Sequence, residues 1–333
     1  RLSVVPQRTQ KGWWKRYFLQ GWSEFDDSNT HTVLQLLTIA DIINVNKIFH
    51  LTPPDQSTDL NVLPKTSKNY AVIHIYPLWT YKQWTKSGWL EVAKHLIFSD
   101  ITVVLTGGPN PDEIKHVSEF QQLLPKCAIN LAGKTSLAEL THIIQNAQLF
   151  IGPDTGTTHL AAATGTPTIA IYGPTNPIKW APWPINYNKD QNPFQKTGNQ
   201  VVNNVYLIQG QAPCVPCHLE GCERHRQSRS DCLDNLPASE VIKIINAIPA
   251  KQIFKKTYQL APSCDNKTAK LEFNNHLLDS AWNFIFERIV DQHIDTLVKK
   301  RTLNIKIDDY GNTDESKWVE DVKYFINKVL LKN

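Results

Sequence analysis

From Tyr70 onward, short apolar runs bounded by glycine or proline alternate with helix-patterned segments, and that alternation admits few folds. Runs at 71–75 and 101–106 are each followed by a helical stretch, 87 to about 98 and from about 112. A shorter run at 128–131 precedes a helix over 137–146, which opens on the capping box Ser136-x-x-Glu139. Two further runs, 149–151 and 168–172, bracket an alanine-rich segment that stops at Gly165. Strands and helices at this spacing predict an α/β fold with a parallel sheet covered on both faces.

The flanking regions are less regular. Residues 1–69 carry the aromatic and basic stretch Trp13, Trp14, Lys15, Arg16, Tyr17, Phe18 and Trp22, a helix from His31 to about Val45, and a polar, proline-rich linker over 52–68. The aromatic stretch is a candidate for peripheral contact with a membrane surface, with burial in a core as the alternative. Regularity ends near Asn186, and a polar segment leads into cysteines. In 251–333, helical spacing links Leu271, Leu278, Trp282, Ile285 and Ile289, and again Trp318, Val322, Phe325, Ile326 and Val329, with a short strand at 303–307 between. The expected division is therefore 1–69, 70–250 and a helical extension, 251–333.

The residues with chemical content gather at predicted strand ends. After the run at 149–151, Gly152-Pro153 stops the strand and Asp154-Thr155-Gly156 opens a helix whose first turn leaves backbone N–H groups unpaired. Such a terminus receives anions, phosphate above all. Gly156 lets a ligand approach the backbone, and His159 lies one turn on, on the same side. The run at 168–172 leads into Gly173-Pro174-Thr175, so two strand ends and a helix start converge where open α/β sheets bind ligands. Lys82, beside Trp84 in the loop after the first strand, is a point charge able to neutralise a diphosphate. Asp112 and Glu113, behind Gly107-Gly108-Pro109, are placed to accept bonds from ribose hydroxyls, though they also suit a helix start. Gly133-Lys134-Thr135 is no P-loop, because Ala128 stands where the first glycine is required.

Cys214-x2-Cys217-x4-Cys222-x9-Cys232 favours a structural tetrahedral zinc site, with disulfides or free thiols as alternatives. Cys127 and Cys264 are unplaced, and His142, His276 and His293 read as packing or surface residues. A net charge of +4 and the lack of a basic stripe give no reason to expect nucleic acid. No apolar run nears the ~20 residues of a membrane helix and no secretory signal is visible, so a cytoplasmic chain is expected. Methionine is absent and residue 1 is arginine, which reads as less than a whole natural polypeptide, or as one whose methionines have dropped out.

Together, Lys82-x-Trp84, Leu105-Thr106-Gly107-Gly108-Pro109, Asn130-Leu131-Ala132-Gly133 and Asp154-Thr155-Gly156-x-x-His159-x-Ala161-Ala162 running to Gly173-Pro174-Thr175 resemble the family-9 glycosyltransferases. These are the ADP-heptose:lipopolysaccharide heptosyltransferases, and the likeness runs from about Tyr70 to Leu236 and weakly back through residues 1–69. It implies a GT-B fold of two Rossmann-like domains, the N-terminal one incomplete here, and inverting transfer of a sugar from a nucleotide-diphosphate donor to a lipid-linked glycan. By the same resemblance Lys82 contacts the diphosphate and Asp154 the sugar hydroxyls. The backbone of Thr155, Gly156, Thr157 and His159 cradles phosphate, and Asp112 or Glu113 meets the nucleoside. Trp84, Gly108, Gly173 and Thr175 complete the donor side. The family's base is an aspartate on a Gly-Asp turn, and no Gly-Asp occurs in residues 1–69; Tyr76-Pro77-Leu78-Trp79 stands where the family has Pro-Gly-Ala. No Asp-x-Asp occurs in the chain, which favours transfer without a metal cofactor. A nucleotide-sugar epimerase and a non-catalytic binding or scaffold protein are the alternatives.

Overall fold

The computed structural model describes residues 1–8, 12–26, 28–54, 69–217 and 219–248, and the backbone of two short strands, Thr257–Gln259 and Lys270–Glu272. The chain divides into two compact units, Arg1–Lys94 with Thr102–Ile253, and His95–Ile101 with Phe254–Asn333. Packing in the first unit runs through the break expected near residue 69. Asn176 Nδ2 donates to Ser28 O at 2.7 Å, Trp183 Nε1 to Phe49 O at 2.8 Å and the His31 N–H to Asn192 Oδ1 at 2.9 Å.

A seven-stranded sheet dominates that unit. In chain order its strands are β3 (Tyr70–His74), β4 (Thr102–Thr106), β5 (Ile129–Asn130), β6 (Leu149–Pro153), β7 (Thr168–Tyr172), β8 (Gln200–Val202) and β9 (Val205–Gln209), and their spatial order is β5-β4-β3-β6-β7-β9-β8. All neighbours pair in parallel except the β8–β9 edge. Strand order reverses between β3 and β6, the doubly wound pattern with a switch point there. Every residue of β3, β6 and β7 is buried, as expected of strands covered on both faces.

Helices α2 (Lys86–Phe98), α3 (Pro111–Gln121), α4 (Leu137–Gln145), α5 (Gly156–Thr164) and α8 (Ala238–Ala247) alternate with or follow the strands. The predicted box at Ser136 and Glu139 forms in both directions, which sets the start of α4. Ile143 and Ile144 of that helix pack with Val72, Val104 and Phe150 of the sheet. Gly165, at φ 84°, ends α5 in the left-handed region that favours glycine. Shorter helices α6 (Pro177–Trp180) and α7 (Asp231–Asp234) lie on connections.

The structure corrects several expectations. The sheet does not stop near Asn186, because the apolar run Val205–Gln209 adds a sixth parallel strand beyond a polar loop. Ahead of α1 (Thr32–Ile42), β1 (Leu2–Pro6) and β2 (Gly21–Phe25) pair in parallel around the aromatic stretch. Trp14, Tyr17, Phe18 and Trp22 are exposed there, whereas Arg16 is buried and pairs with Glu24 at 2.6 Å. Leu271, assigned to a helix, lies in a strand, since Thr257–Gln259 and Lys270–Glu272 pair antiparallel; one apolar residue fits either period. Most of the linker at 52–68, the helices from Leu278 and from Trp318, the strand at 303–307, His276, His293 and Cys264 lie outside the described residues.

Two buried histidines make this unit acid-sensitive. His31 caps α1 by accepting the Val33 N–H at Nδ1, 3.1 Å, while Nε2 meets Ala181 O at 2.8 Å, so the neutral ring uses both nitrogens. Burial, with a small contribution from His159, outweighs the Ala181 contact and lowers it to about 4. Burial also lowers His74 to about 4. Both folded values lie below the unfolded 6.5, so the unfolded chain takes up protons first and stability is lost as pH falls from about 6.5 toward 4. Unfolding free energy at pH 5 should therefore be lower than at pH 7 by on the order of 2 kcal/mol per histidine. Glu113, raised by burial, works weakly in the opposite direction. Denaturant titrations at the two pH values test this, and His31→Asn, a capping residue that does not titrate, should remove about half the difference. Equal stabilities at pH 5 and 7 would refute it.

Candidate functional site

The parallel strands deliver four loops to one edge of the sheet, at the carboxyl ends of β4, β3, β6 and β7. After β3 the chain makes a 3-10 turn, Thr80–Lys82, closed by the Lys82 N–H on Trp79 O at 3.0 Å. After β6, Asp154 lies ahead of α5 and is 7% exposed. The two meet across the switch point, with Lys82 Nζ 2.6 Å from Asp154 Oδ2. Thr175, from the loop after β7, donates to the same Oδ2 at 2.7 Å. An ammonium, a carboxylate and a hydroxyl from three loops thus share one oxygen at the start of a helix.

The start of α5 is open. Thr155 caps it in an extended conformation without a side-chain bond to the helix backbone; its hydroxyl meets that of Thr158 at 3.4 Å, and Thr158 is buried with its hydroxyl on Pro153 O. A methyl group built on Gly156 would meet nothing within 4 Å. The protein itself therefore does not require glycine there, and the space in front of the backbone is open. His159 is kept below its ordinary pKa by burial, with Asp154 raising it and Lys82 lowering it. Thr157 is half-buried beside it.

A second polar group lies at the end of β4. The Glu113 carboxylate accepts the Gly108 N–H, and its pKa is raised by burial against that bond. His74 Nε2 is 3.9 Å from Glu113 Oε1 and its Nδ1 is 3.2 Å from Thr106 Oγ1. Asp112 is exposed on the first turn of α3, where its N–H is capped by Asn110.

Not every predicted site residue reaches this edge. Trp84 is 3% exposed, stacks edge-on with Trp89 at 5.1 Å and donates Nε1 to Leu236 O at 2.9 Å, so its surroundings are core rather than an open cleft. Gly173 is covered: a Cβ there would come 2.7 Å from Leu233 of α7. The four cysteines differ in exposure. Cys214 and Cys222 are exposed, Cys217 is half-buried and Cys232 is buried. Among the described residues, which leave out His218, no three His, Cys, Asp or Glu side chains form a group able to hold a metal ion. Cys232 packs beneath Gly173, and burial first, then the neighbouring cysteines, pushes its thiol up to about 12.

Sequence reasoning missed three residues. Tyr172, fully buried at the end of β7, has its hydroxyl on Trp180 O at 2.8 Å and Asp154 beside it; burial and that charge hold it well above the usual tyrosine value. Tyr81 and His74 were the others. His74 and Tyr172 sit at strand ends already identified, and Tyr81 precedes Lys82 in the loop after the first of them, the one signal that points to them.

A doubly wound sheet with a charged pair and an open helix start at its switch point defines an α/β domain of the class whose ligands bind outside the carboxyl ends of the strands. Residues 31–206 match glycosyltransferase family 9 (heptosyltransferase), and the chain belongs to that family. Its fold is of GT-B type. It is 38% identical over 120 residues to lipopolysaccharide heptosyltransferase 3 of Escherichia coli, covering 36% of this chain and 35% of that one. With the strain K12 protein of the same name it shares 30% over 195 residues, 56% of each. The chain thus spans about half or less of these relatives' length. In fold it resembles a family 9 glycosyl transferase from Veillonella parvula, with TM-score 0.52, 16% identity and coverage of 71% and 65%. For E. coli heptosyltransferase WaaC with ADP the values are 0.51, 20%, 74% and 65%. Among the described residues, no helix is long and apolar enough to cross a membrane.

Proposed function

We propose that this chain transfers a sugar, heptose by family likeness, from a nucleotide-diphosphate donor to a glycan of the lipopolysaccharide core, with inversion at the anomeric carbon. The observation that carries this is the Lys82–Asp154 contact at the open start of α5. As an acceptor hydroxyl gives its proton to a general base and its oxygen bonds to the anomeric carbon, the bond from that carbon to the diphosphate breaks and negative charge gathers on the leaving oxygens. The Lys82 ammonium and the first turn of α5 are positioned to stabilise that charge. Entry of the diphosphate draws Lys82 from Asp154, and the freed carboxylate takes the sugar hydroxyls while Thr175 orients it. Glu113 is the reading for the ribose. In this scheme the cation at the diphosphate is Lys82, and transfer needs no divalent metal cofactor. The exposed Trp14, Tyr17 and Phe18 offer a surface for the lipid that carries the acceptor.

Mass detection of nucleoside diphosphate released from ADP-heptose, with and without core glycan, tests the reading; release that does not need the acceptor would overturn transfer. Gly156→Ala isolates the cradle. The fold leaves room for the methyl and alanine suits a helix better than glycine, so stability should hold or rise by up to about 1 kcal/mol. Donor affinity should nevertheless fall about tenfold as the methyl displaces the phosphate. Unchanged affinity would place the phosphate elsewhere.

A further inference from the structure

The turn that carries Lys82 is gripped from outside the sheet by the cysteine-bearing segment, at three successive residues. The Thr80 N–H donates to Arg226 O at 3.0 Å, and Ser230 Oγ donates to Tyr81 O at 2.7 Å. The Arg226 guanidinium lies 4.2 Å over the Trp79 ring. Lys82 is the next residue.

The gripping segment is itself closed. The Cys222 N–H donates to Arg229 O at 2.9 Å, Ser228 Oγ to Glu220 O at 2.7 Å, and Arg226 Nε to Glu220 Oε1 at 3.3 Å. Gly221 takes φ 82°, and a Cβ there would overlap Ser228 Oγ and come 2.9 Å from Tyr81 Cβ. Both Ser228 and Ser230 are 2% exposed. Side chain, amide and carbonyl of one short turn are therefore each fixed by the same loop. A 3-10 turn has poorer internal hydrogen bonds than an α-helix and gains more from outside partners.

We infer that Arg226 and Ser230 are positioning residues: residues 220–230 form a clamp that holds the 79–82 turn and so sets where the Lys82 ammonium meets the diphosphate. Neither residue is assigned a contact with the donor. The inference rests on the proposed donor site, since the clamp matters to binding only if Lys82 does.

Hydrogen–deuterium exchange of peptides spanning 79–82, paired with calorimetric binding of ADP, tests it in the whole chain. Arg226→Ala, which keeps the carbonyl on Thr80 but removes the cation over Trp79, and Ser230→Ala, which removes the bond to Tyr81 O, should each speed exchange in that peptide and weaken ADP by about threefold to tenfold. Exchange outside 79–82 and 220–230 should be unchanged. Arg226→Lys, which keeps a cation over Trp79, should recover most of the affinity, whereas general destabilisation would not be rescued this way. Unchanged exchange at 79–82 overturns the clamp. Faster exchange with unchanged ADP affinity overturns its role in positioning. Lys82→Ala, measured alongside, tells whether the donor site fails as well, since its ADP affinity should then also be unchanged.

Discussion

Replacing Asp154 by asparagine should abolish transfer, by at least about a hundredfold in kcat, without weakening ADP. The two effects separate because Asp154 Oδ2 is 2.6 Å from Lys82 Nζ and 2.7 Å from Thr175 Oγ1. An incoming diphosphate must compete with that carboxylate for the ammonium. Asparagine keeps the shape and can still accept from Thr175, yet it removes the competing charge, so Lys82 is freed for phosphate. Lys82→Ala should lose both, with turnover lower by about 10²–10³ and ADP bound more weakly. The double variant should be little worse than the worse single one, because the pair acts as a unit. Asp154→Asn should leave the fold intact, whereas Lys82→Ala strands a carboxylate that is 8% exposed and should lower the melting temperature, as thermal melts will show. An Asp154→Asn protein that transfers within threefold of the parent, or Lys82→Ala binding ADP unchanged, would remove the pair from the site.

The largest stability effect should come from Trp84. Trp84→Ala should cost about 3–5 kcal/mol, the range for a buried aromatic truncated without collapse of the cavity. The ring is packed on Trp89 and lies so close to Gly88 that a Cβ there would be 2.4 Å away. Trp84→Phe should cost less, about 1–3 kcal/mol, mostly by leaving Leu236 O without its indole N–H. In both variants the folded fraction should bind ADP with the affinity of the parent. Urea titrations and calorimetry on the same samples check the two halves. Full stability with weakened ADP binding in Trp84→Phe would restore Trp84 to the donor site.

These two cases show how far the residues could be read without coordinates. Lys82, Asp154 and Thr175 lie behind three different strands, and strand ends are legible because parallel strands need apolar runs and sharp stops. Trp84 carries the same local pattern as a ligand-contacting aromatic. Two residues past Lys82, the chain has already turned into the core, and no spacing rule records that turn. Gly156 and Gly173 form a similar pair. Both follow a strand at a strand-to-helix connection, yet one faces open space and the other lies under Leu233.

The sixth parallel strand, Val205–Gln209, was missed because its apolar run follows a polar loop rather than a helix. Cys214 to Cys232 has the spacing of a metal module, but sulfur positions depend on the path of the loops between them. That path presses residues 220–230 against the Lys82 turn and takes Cys232 under Gly173.

The sequence by itself determined the doubly wound class and the edge of the sheet where chemistry would gather. Hydrophobic period, capping and turn residues are local properties, and a parallel strand ends in the same sense wherever it sits. Only the tertiary structure decided which of those residues touch. Strand order brings β6 beside β3 and so places Asp154 within a hydrogen bond of Lys82, 72 positions earlier, while a loop more than 140 residues later grips the turn that holds it. Contacts across such separations depend on global packing, to which local patterns are blind.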